Sequence, residues 1–225
     1  MKLKIYSCSS CVGKNTEFIK YGRTASGKQR YQCTNCKKTS ILHYTYNAYK
    51  QNINRKIVQF TKEGLGIRST ARILQISVTT LLKRIILIAE NIKRPVLSFG
   101  KAYELDEMRF FIRKKKNPQW LVYAINKSTK QVAGFSIGRR NNRTLHVVVK
   151  TLLNAKPENI FTDKLRNYKS LIPAKLHITK RYGTNYIERK NLDIRTRLKR
   201  FQRKTICFAK STIITTAILQ IYFWK

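Results

Sequence analysis

Four of the five cysteines fall in two pairs, Cys8-Ser-Ser-Cys11 and Cys33-Thr-Asn-Cys36, with 21 residues between them. Each C-x-x-C turn sets two thiolates on one side of a tight knuckle, and two knuckles close a tetrahedron of soft sulfur ligands around Zn²⁺. With all four positions filled by cysteine, no coordination site stays open, so the zinc would fold a finger and catalyse nothing. Two disulfides are the alternative. No apolar run follows Lys2 and Lys4, so no secretory signal is expected, and a reducing compartment favours zinc. Cys207, flanked by Ile206 and Phe208 and without a nearby histidine, is expected as a small buried core residue.

The acids are the second set of residues with chemical potential. Only 10 Asp and Glu stand against 48 Lys and Arg, and three of them sit where a surface role is awkward. Asp106 lies inside an apolar strand pattern, Asp163 ends another, and Glu188 opens a basic helix. A carboxylate within a strand core is costly to desolvate unless it is paired or binds a metal. Brought together, the three would repel one another and stay ionised only with divalent cations between them, for which Mg²⁺ or Mn²⁺ suits oxygen ligands. Such ions activate a water or a 3′-hydroxyl and stabilise the leaving oxygen in phosphodiester chemistry. Salt bridges to arginine are the other reading of the same acids.

Neighbouring groups read differently. Glu107 is expected on the opposite sheet face from Asp106, and Asp193, five positions from Glu188, off its helical face. Arg195, at i+7 from Glu188, shares that face and is a candidate for a DNA phosphate, with a solvated helix face as the alternative. His177 is expected as a structural strand residue.

A formal net charge of +38 in 225 residues calls for a polyanion. The charge is no tail: residues 1–95 carry +16 and residues 96–225 carry +22, so both halves are expected to touch phosphate. Charge alone leaves DNA and RNA open. The longest uncharged apolar stretch, residues 211–224, has 14 residues where a membrane span needs about 20. A packed C-terminal helix in a soluble cytoplasmic protein is the expectation.

The elements that must position these groups follow from period and turn chemistry. Residues 12–32 read as a short hairpin around Tyr21-Gly22-Arg23 and Ser26-Gly27-Lys28, and Arg23, Lys28, Arg30, Lys37 and Lys38 are expected to decorate the finger for phosphate contact. After a tyrosine-rich connector at 43–49, helical spacing covers 54–63 and 69–74. Ser77 is a suitable N-cap for a third helix from Val78 towards Glu90. This is a helix-turn-helix pattern, and Thr79, Thr80, Lys83 and Arg84 at the start of the third helix are the candidates for base edges. A plain helical hairpin is the alternative. Beyond Pro95 the pattern predicts strands at 103–112, 120–125 and 132–137, a helix at 144–154, a strand at 159–162, a helix after Asp163, a strand at 176–179 and a basic helix at 186–201. An α/β fold with a mixed sheet flanked by helices is expected. The division is a zinc ribbon at 1–46, a helix-turn-helix domain at 47–95 and a catalytic domain at 96–225.

Several runs resemble a known family. The two cysteine pairs with Gly27-Lys28-Gln29-Arg30-Tyr31-Gln32 between them, followed by Arg68-Ser69-Thr70-Ala71-Arg72-Ile73-Leu74, are similar to the DNA-binding protein of the insertion sequence one elements. Asp106-Glu107-Met108, Trp120-Leu121, Thr162-Asp163, Leu176-His177, Lys180-Arg181-Tyr182 and Ile187-Glu188-Arg189 with Asn191 and Arg195 resemble their catalytic partner protein. The resemblance covers nearly the whole chain, with both parts in one frame. It implies a ribonuclease-H-like domain of the Asp-Asp-Glu type carried on Asp106, Asp163 and Glu188. It also implies recognition of terminal inverted repeats, cleavage and strand transfer on double-stranded DNA, and a homodimer or larger assembly in a prokaryotic, nucleoid-associated setting. Arg109 stands where the family has Trp, and Lys164-Leu165 where it has Gly-Trp. A non-catalytic regulator or an inactivated copy is the competing expectation.

Overall fold

The structure is a computed structural model that describes residues 8, 10–11, 16–41 and 45–225. Lys2, Lys4 and the start of the tyrosine-rich connector at His43 lie outside the described residues. The chain divides into two compact units, Met1–Gln51 and Asn52–Lys225.

In the first unit, β1 (Phe18–Arg23), β2 (Gln29–Cys33) and β3 (Thr39–Ser40) form an antiparallel sheet with β2 in the middle. The turn between β1 and β2 uses Gly27 at φ 77°, a left-handed conformation that glycine adopts without a Cβ penalty. The unit is too small to bury a conventional core. Phe18, Cys8 and Cys33 form its buried centre, with Cys11, Cys36 and Tyr31 packed against it.

The second unit opens with α1 (Ile53–Lys62), α2 (Ile67–Leu74) and α3 (Val78–Glu90). The turn before α3 passes through Gln75 in the left-handed region, and the Ser77 hydroxyl accepts the Thr80 N–H at 3.0 Å, as an N-cap should. Leu81, Ile85 and Ala89 are the buried stripe of α3, while Thr79 and Lys83 are exposed. The helix-turn-helix expected from periodicity is therefore formed, with residue boundaries displaced by no more than two.

The remaining chain builds a five-stranded sheet from β4 (Ala102–Phe111), β5 (Pro118–Asn126), β6 (Val132–Gly138), β7 (Asn159–Phe161) and β8 (His177–Ile178). Their order is β6-β5-β4-β7-β8, with β4, β5 and β6 antiparallel and β7 and β8 parallel to β4. This is the mixed, ribonuclease-H-like sheet expected. On one face, Leu145, Val148, Val149 and Leu152 of α4 (Asn142–Asn154) and Tyr168 of α5 (Arg166–Leu171) pack on Tyr103, Leu105 and Val122. The other face carries α6 (Asn185–Arg197) and α7 (Thr212–Trp224).

The apolar C-terminal stretch is α7. It reaches the sheet, where Phe223 stacks on Tyr123 and Trp224 donates to the Val132 carbonyl at 2.8 Å, and it also packs on α1 and α3. Among the described residues no helix is long and apolar enough to cross a membrane.

A second seam joins the helices to α6. Gly64 has φ 76°, and a Cβ there would stand 2.0 Å from the Arg197 carbonyl oxygen. Substitution Gly64→Ala is expected to destabilise the second unit by more than about 1 kcal/mol, because backbone strain and collision act together. The check is the urea midpoint, and an unchanged midpoint would show that this seam is absent in solution.

Candidate active site

Strand β4 alternates its side chains between two packed faces, and that alternation distributes three acids. Glu104 and Asp106 face α6, and Glu107 faces α4 and α5. Glu104 is fully buried, with one oxygen accepting the Ile187 N–H at 2.8 Å and the other 3.3 Å from Lys127 Nζ. The first turn of a helix leaves N–H groups without partners, and the Thr184 side chain does not cap α6. The carboxylate of β4 takes that role, placed favourably at the positive end of the helix dipole.

Two residues along, Asp106 accepts the Asn191 side-chain amide at 2.7 Å. Tyr123, opposite Asp106 on β5, donates to the Asn191 carbonyl oxygen at 2.8 Å and so fixes the amide's orientation. Two strand residues rise about 6.6 Å and four helical residues about 6 Å, so Glu104 with Ile187 and Asp106 with Asn191 hold α6 alongside β4.

Glu107 is neutralised on the other face. Arg140 approaches its Oε1 at 2.9 Å through Nη2 and at 3.0 Å through Nε, and Tyr168 donates to Oε2 at 2.8 Å. Burial and the neighbouring Glu107 hold the Tyr168 phenol protonated, well above its ordinary value. Arg140 also lies over the Trp120 ring, 4.7 Å from its centroid.

Asp163 follows β7. The parallel register pairs Glu104 with Phe161, so two further residues set Asp163 beside Asp106. The Leu165 N–H donates to Asp163 at 2.9 Å, and Leu165 packs on the core under α4. Carboxylate oxygens of Asp106, Glu107 and Asp163 all lie within 4.8 Å of one another. Among the described residues Asp106 has no ion-pair partner, unlike Glu104 and Glu107. Burial pushes its carboxyl up to about 6, the charges of Glu107 and Asp163 add to that, and the Glu107 N–H and Asn191 amide oppose it.

In the first unit, single sulfur atoms of Cys8, Cys11, Cys33 and Cys36 also lie within 4.8 Å of one another, and none of these cysteines is in a disulfide. The Cys36 N–H, opposed by burial and helped by the Asn35 N–H, pulls Cys33 down to about 7. Hydrogen bonding to Cys36 holds Cys11 up at about 12. A sulfur cage with N–H groups of the knuckle aimed at it suits a soft divalent cation.

Residues 101–225 match the family described as "IS1 transposase", and residues 44–86 match "InsA C-terminal domain". The chain belongs to the IS1 transposase family. It is 34% identical over 122 residues to insertion element iso-IS1n protein InsB of Shigella dysenteriae, across 54% of this chain and 93% of that protein. Among solved structures it is similar to a chain of a simian T-cell lymphotropic virus intasome in complex with PP2A regulatory subunit B56 gamma. That similarity has 15% identity, 72% of this chain, 66% of that one and a TM-score of 0.39. A second similarity, to the HTLV-2 integrase catalytic core domain in complex with magnesium, has 15% identity, 57% of this chain, 86% of that one and a TM-score of 0.37. The fold rests on the strand order above and not on these likenesses. As a member of this family, with a helix-turn-helix for DNA, the chain is a DNA-cutting and strand-transferring enzyme of the Asp-Asp-Glu type.

Against this transposase frame, the acids named from sequence separate. Asp106 and Asp163 converge. Glu188 lies outside the converging group: it is exposed in the first turn of α6 and accepts the Thr184 hydroxyl at 3.0 Å, one turn before Asn191. Glu107, expected to be excluded by strand alternation, brings a carboxylate oxygen into the group although its partners lie on the far face. The Asp106 carboxylate meets it at the strand backbone, where one Asp106 oxygen accepts the Glu107 N–H at 2.7 Å. Asp193 is held away from the group by Lys190, Arg197 and Tyr222. Arg195 is close enough to feel the Asp106 charge, and its Nε is buried without a hydrogen-bond partner.

Cys207 corrects an expectation. It is exposed and lines a cleft of about 460 Å³ between α2, α3 and the segment leading to α7, because its loop turns Ala209 inward instead. His177 is a strand residue as expected, its Nε2 2.7 Å from the Thr162 hydroxyl. Sequence reasoning missed Glu104 and Lys127, and named Asn191 only within the family motif, without a role. The scarcity of acids could have found Glu104, which shares the strand and the face of Asp106.

The folded Asp106 carboxyl at about 6 lies above the unfolded value of about 4. Its contribution to stability is therefore present below about pH 4 and is lost as pH rises through about 6. Asp106→Asn is expected to remove this component in metal-free protein. Denaturant midpoints measured from pH 4 to about pH 7 test it, and identical profiles for the two proteins would refute the assignment.

Proposed function

We propose that Asp106, Asp163 and Glu188 form the catalytic centre of this transposase and act on DNA phosphodiesters at the terminal inverted repeats of its element. The observation that carries the reading is the convergence of Asp106 and Asp163 carboxylates, one of them without a cation of its own. Crowded, partly desolvated carboxylates fit Mg²⁺ or Mn²⁺, and the raised Asp106 is the signature of a site lacking positive charge. When bound, such an ion supplies the charge that activates a water or 3′-hydroxyl and stabilises the leaving oxygen.

The chain's own residues do the positioning. Asn191 aims one Asp106 oxygen, and the Leu165 N–H aims Asp163, so the Lys164-Leu165 departure from the family pattern preserves the turn that holds this acid. Glu188 sits on the α6 face that also presents Asn191 and Arg195, and release from Thr184 brings it into play. Arg195, with its unsatisfied Nε, suits a DNA phosphate.

In this reading residues 1–46 are a zinc ribbon on Cys8, Cys11, Cys33 and Cys36, with Arg30 on phosphate. Residues 47–95 read DNA through Thr79, Thr80, Lys83 and Arg84, and residues 96–225 carry the catalytic domain. Synapsis of two element ends favours a homodimer or larger assembly, in the cytoplasm beside the nucleoid.

Asp163→Asn is expected to keep duplex binding at wild-type affinity and to lower Mg²⁺-dependent nicking of inverted-repeat DNA at least about a hundredfold, as loss of a metal carboxylate should. Retained nicking would overturn the catalytic assignment. Zinc should be present at about one equivalent per chain by elemental analysis, since one four-sulfur cage holds one ion. Cys33→Ser should lose it and expose the β1–β3 amides to hydrogen exchange while the five-stranded sheet stays protected. Full protection without zinc would refute a metal-folded finger.

A further inference from the structure

The segment between β8 and α6, Thr179-Lys180-Arg181-Tyr182-Gly183-Thr184, is held firmly yet leaves a large ring in solvent. Lys127 Nζ donates to the Gly183 carbonyl at 3.1 Å while it pairs with buried Glu104 and lies over the Phe161 ring, 3.8 Å from its centroid. Gly183 donates back to the Lys180 carbonyl at 2.9 Å and lies so close to Phe161 that a Cβ would stand 3.0 Å from that ring. Phe161 ends β7, two residues before Asp163. The segment is thus fixed to the floor of the candidate site.

On that fixed segment Tyr182 is 69% exposed at φ 62°, a left-handed conformation rare for a bulky residue, and Tyr186, in the first turn of α6 that follows, is 45% exposed. Both rings have a cation on one face: the Arg181 guanidinium 5.0 Å from the Tyr182 centroid and Lys130 Nζ 2.9 Å from the Tyr186 centroid. Neither ring belongs to the buried core, and burial therefore does not account for the aromatic character of these positions. Exposed rings interleaved with cations are what an unpaired nucleic-acid strand uses, a base stacking on the ring and its phosphate meeting the cation.

We infer that Tyr182 and Tyr186, with Arg181 and Lys130, form a stacking platform for unpaired nucleotides of the DNA end beside the catalytic acids. This rests on the active-site reading above and names the form of substrate that it takes: an end whose terminal bases are out of the duplex. The helix-turn-helix accounts for duplex grip, and the platform adds affinity only where bases are unstacked, a cost that is lower for frayed ends.

The test measures full-length protein, without Mg²⁺, on two fluorescent duplexes that differ only in a three-nucleotide unpaired thymidine tail. Wild type should bind the tailed duplex at least about fivefold more tightly, the lower range for stacking of one base. Tyr182→Ala with Tyr186→Ala should lose that increment and keep blunt-duplex affinity, and the double Phe variant should restore it. Asp163→Asn should retain the increment, which separates failure of the platform from failure of the catalytic assignment. Wild type without an increment, a double Ala variant that keeps it, or a double Phe variant that loses it would each overturn the platform.

Discussion

The second unit depends on how α6 is fastened to β4. A helix lying across a sheet can slide, and apolar packing alone is permissive about register. Here two carboxylates in one strand take hold of two successive turns, Glu104 at the Ile187 N–H and Asp106 at the Asn191 amide. The Phe110 and Phe201 rings, with centroids 4.8 Å apart, continue the contact beyond the helix. Burying Glu104 is costly, and the structure offsets that cost with Lys127 and with the helix N-terminus. Removing Lys127 or Glu104 alone would leave the other charge stranded, so the pair is a constraint as much as a source of stability.

The same economy explains why one strand carries three of the chain's ten acids. Glu104 is answered by Lys127 and Glu107 by Arg140 and Tyr168, whereas among the described residues Asp106 has no cation at ion-pair distance, only dipoles, the repulsion of its neighbours and the more distant charge of Arg195. In a protein of net charge +38, leaving this carboxylate without a cation is a local decision of the fold and no shortage of lysine or arginine. Asp193 illustrates the contrast: only five residues from Glu188, it is surrounded by Lys190, Arg197 and Tyr222, and its carboxyl is held below the usual range by those partners, against burial.

The helix-turn-helix and the sheet share one packed unit because α7 serves both. Its apolar faces meet α1 and α3 on one side and Tyr123 and Phe135 of the sheet on the other, and Gly64 meets the end of α6. α3 is therefore placed relative to the acids of β4 through packing within one unit and not through a linker.

The sequence by itself determined the elements and the chemistry on offer. The 3.6-residue and two-residue periods, Ser77 as a cap and the spacing of Cys8, Cys11, Cys33 and Cys36 are local, and local pattern was enough for the helix-turn-helix, the strand order of hydrophobicity and the sulfur cage. The prominence of Asp106 and Asp163 was legible because an acid in an apolar strand of a basic chain is conspicuous. What only the tertiary structure decided was pairing between distant residues: that Asn191 and not Glu188 reaches Asp106, that a Glu107 oxygen lies within 4.8 Å of the Asp106 and Asp163 carboxylates, that Glu104 caps α6 across 83 positions, and that Cys207 faces solvent. Those outcomes depend on side-chain length and on which groups the packed elements bring face to face, and neither is written in the periodicity of a single segment.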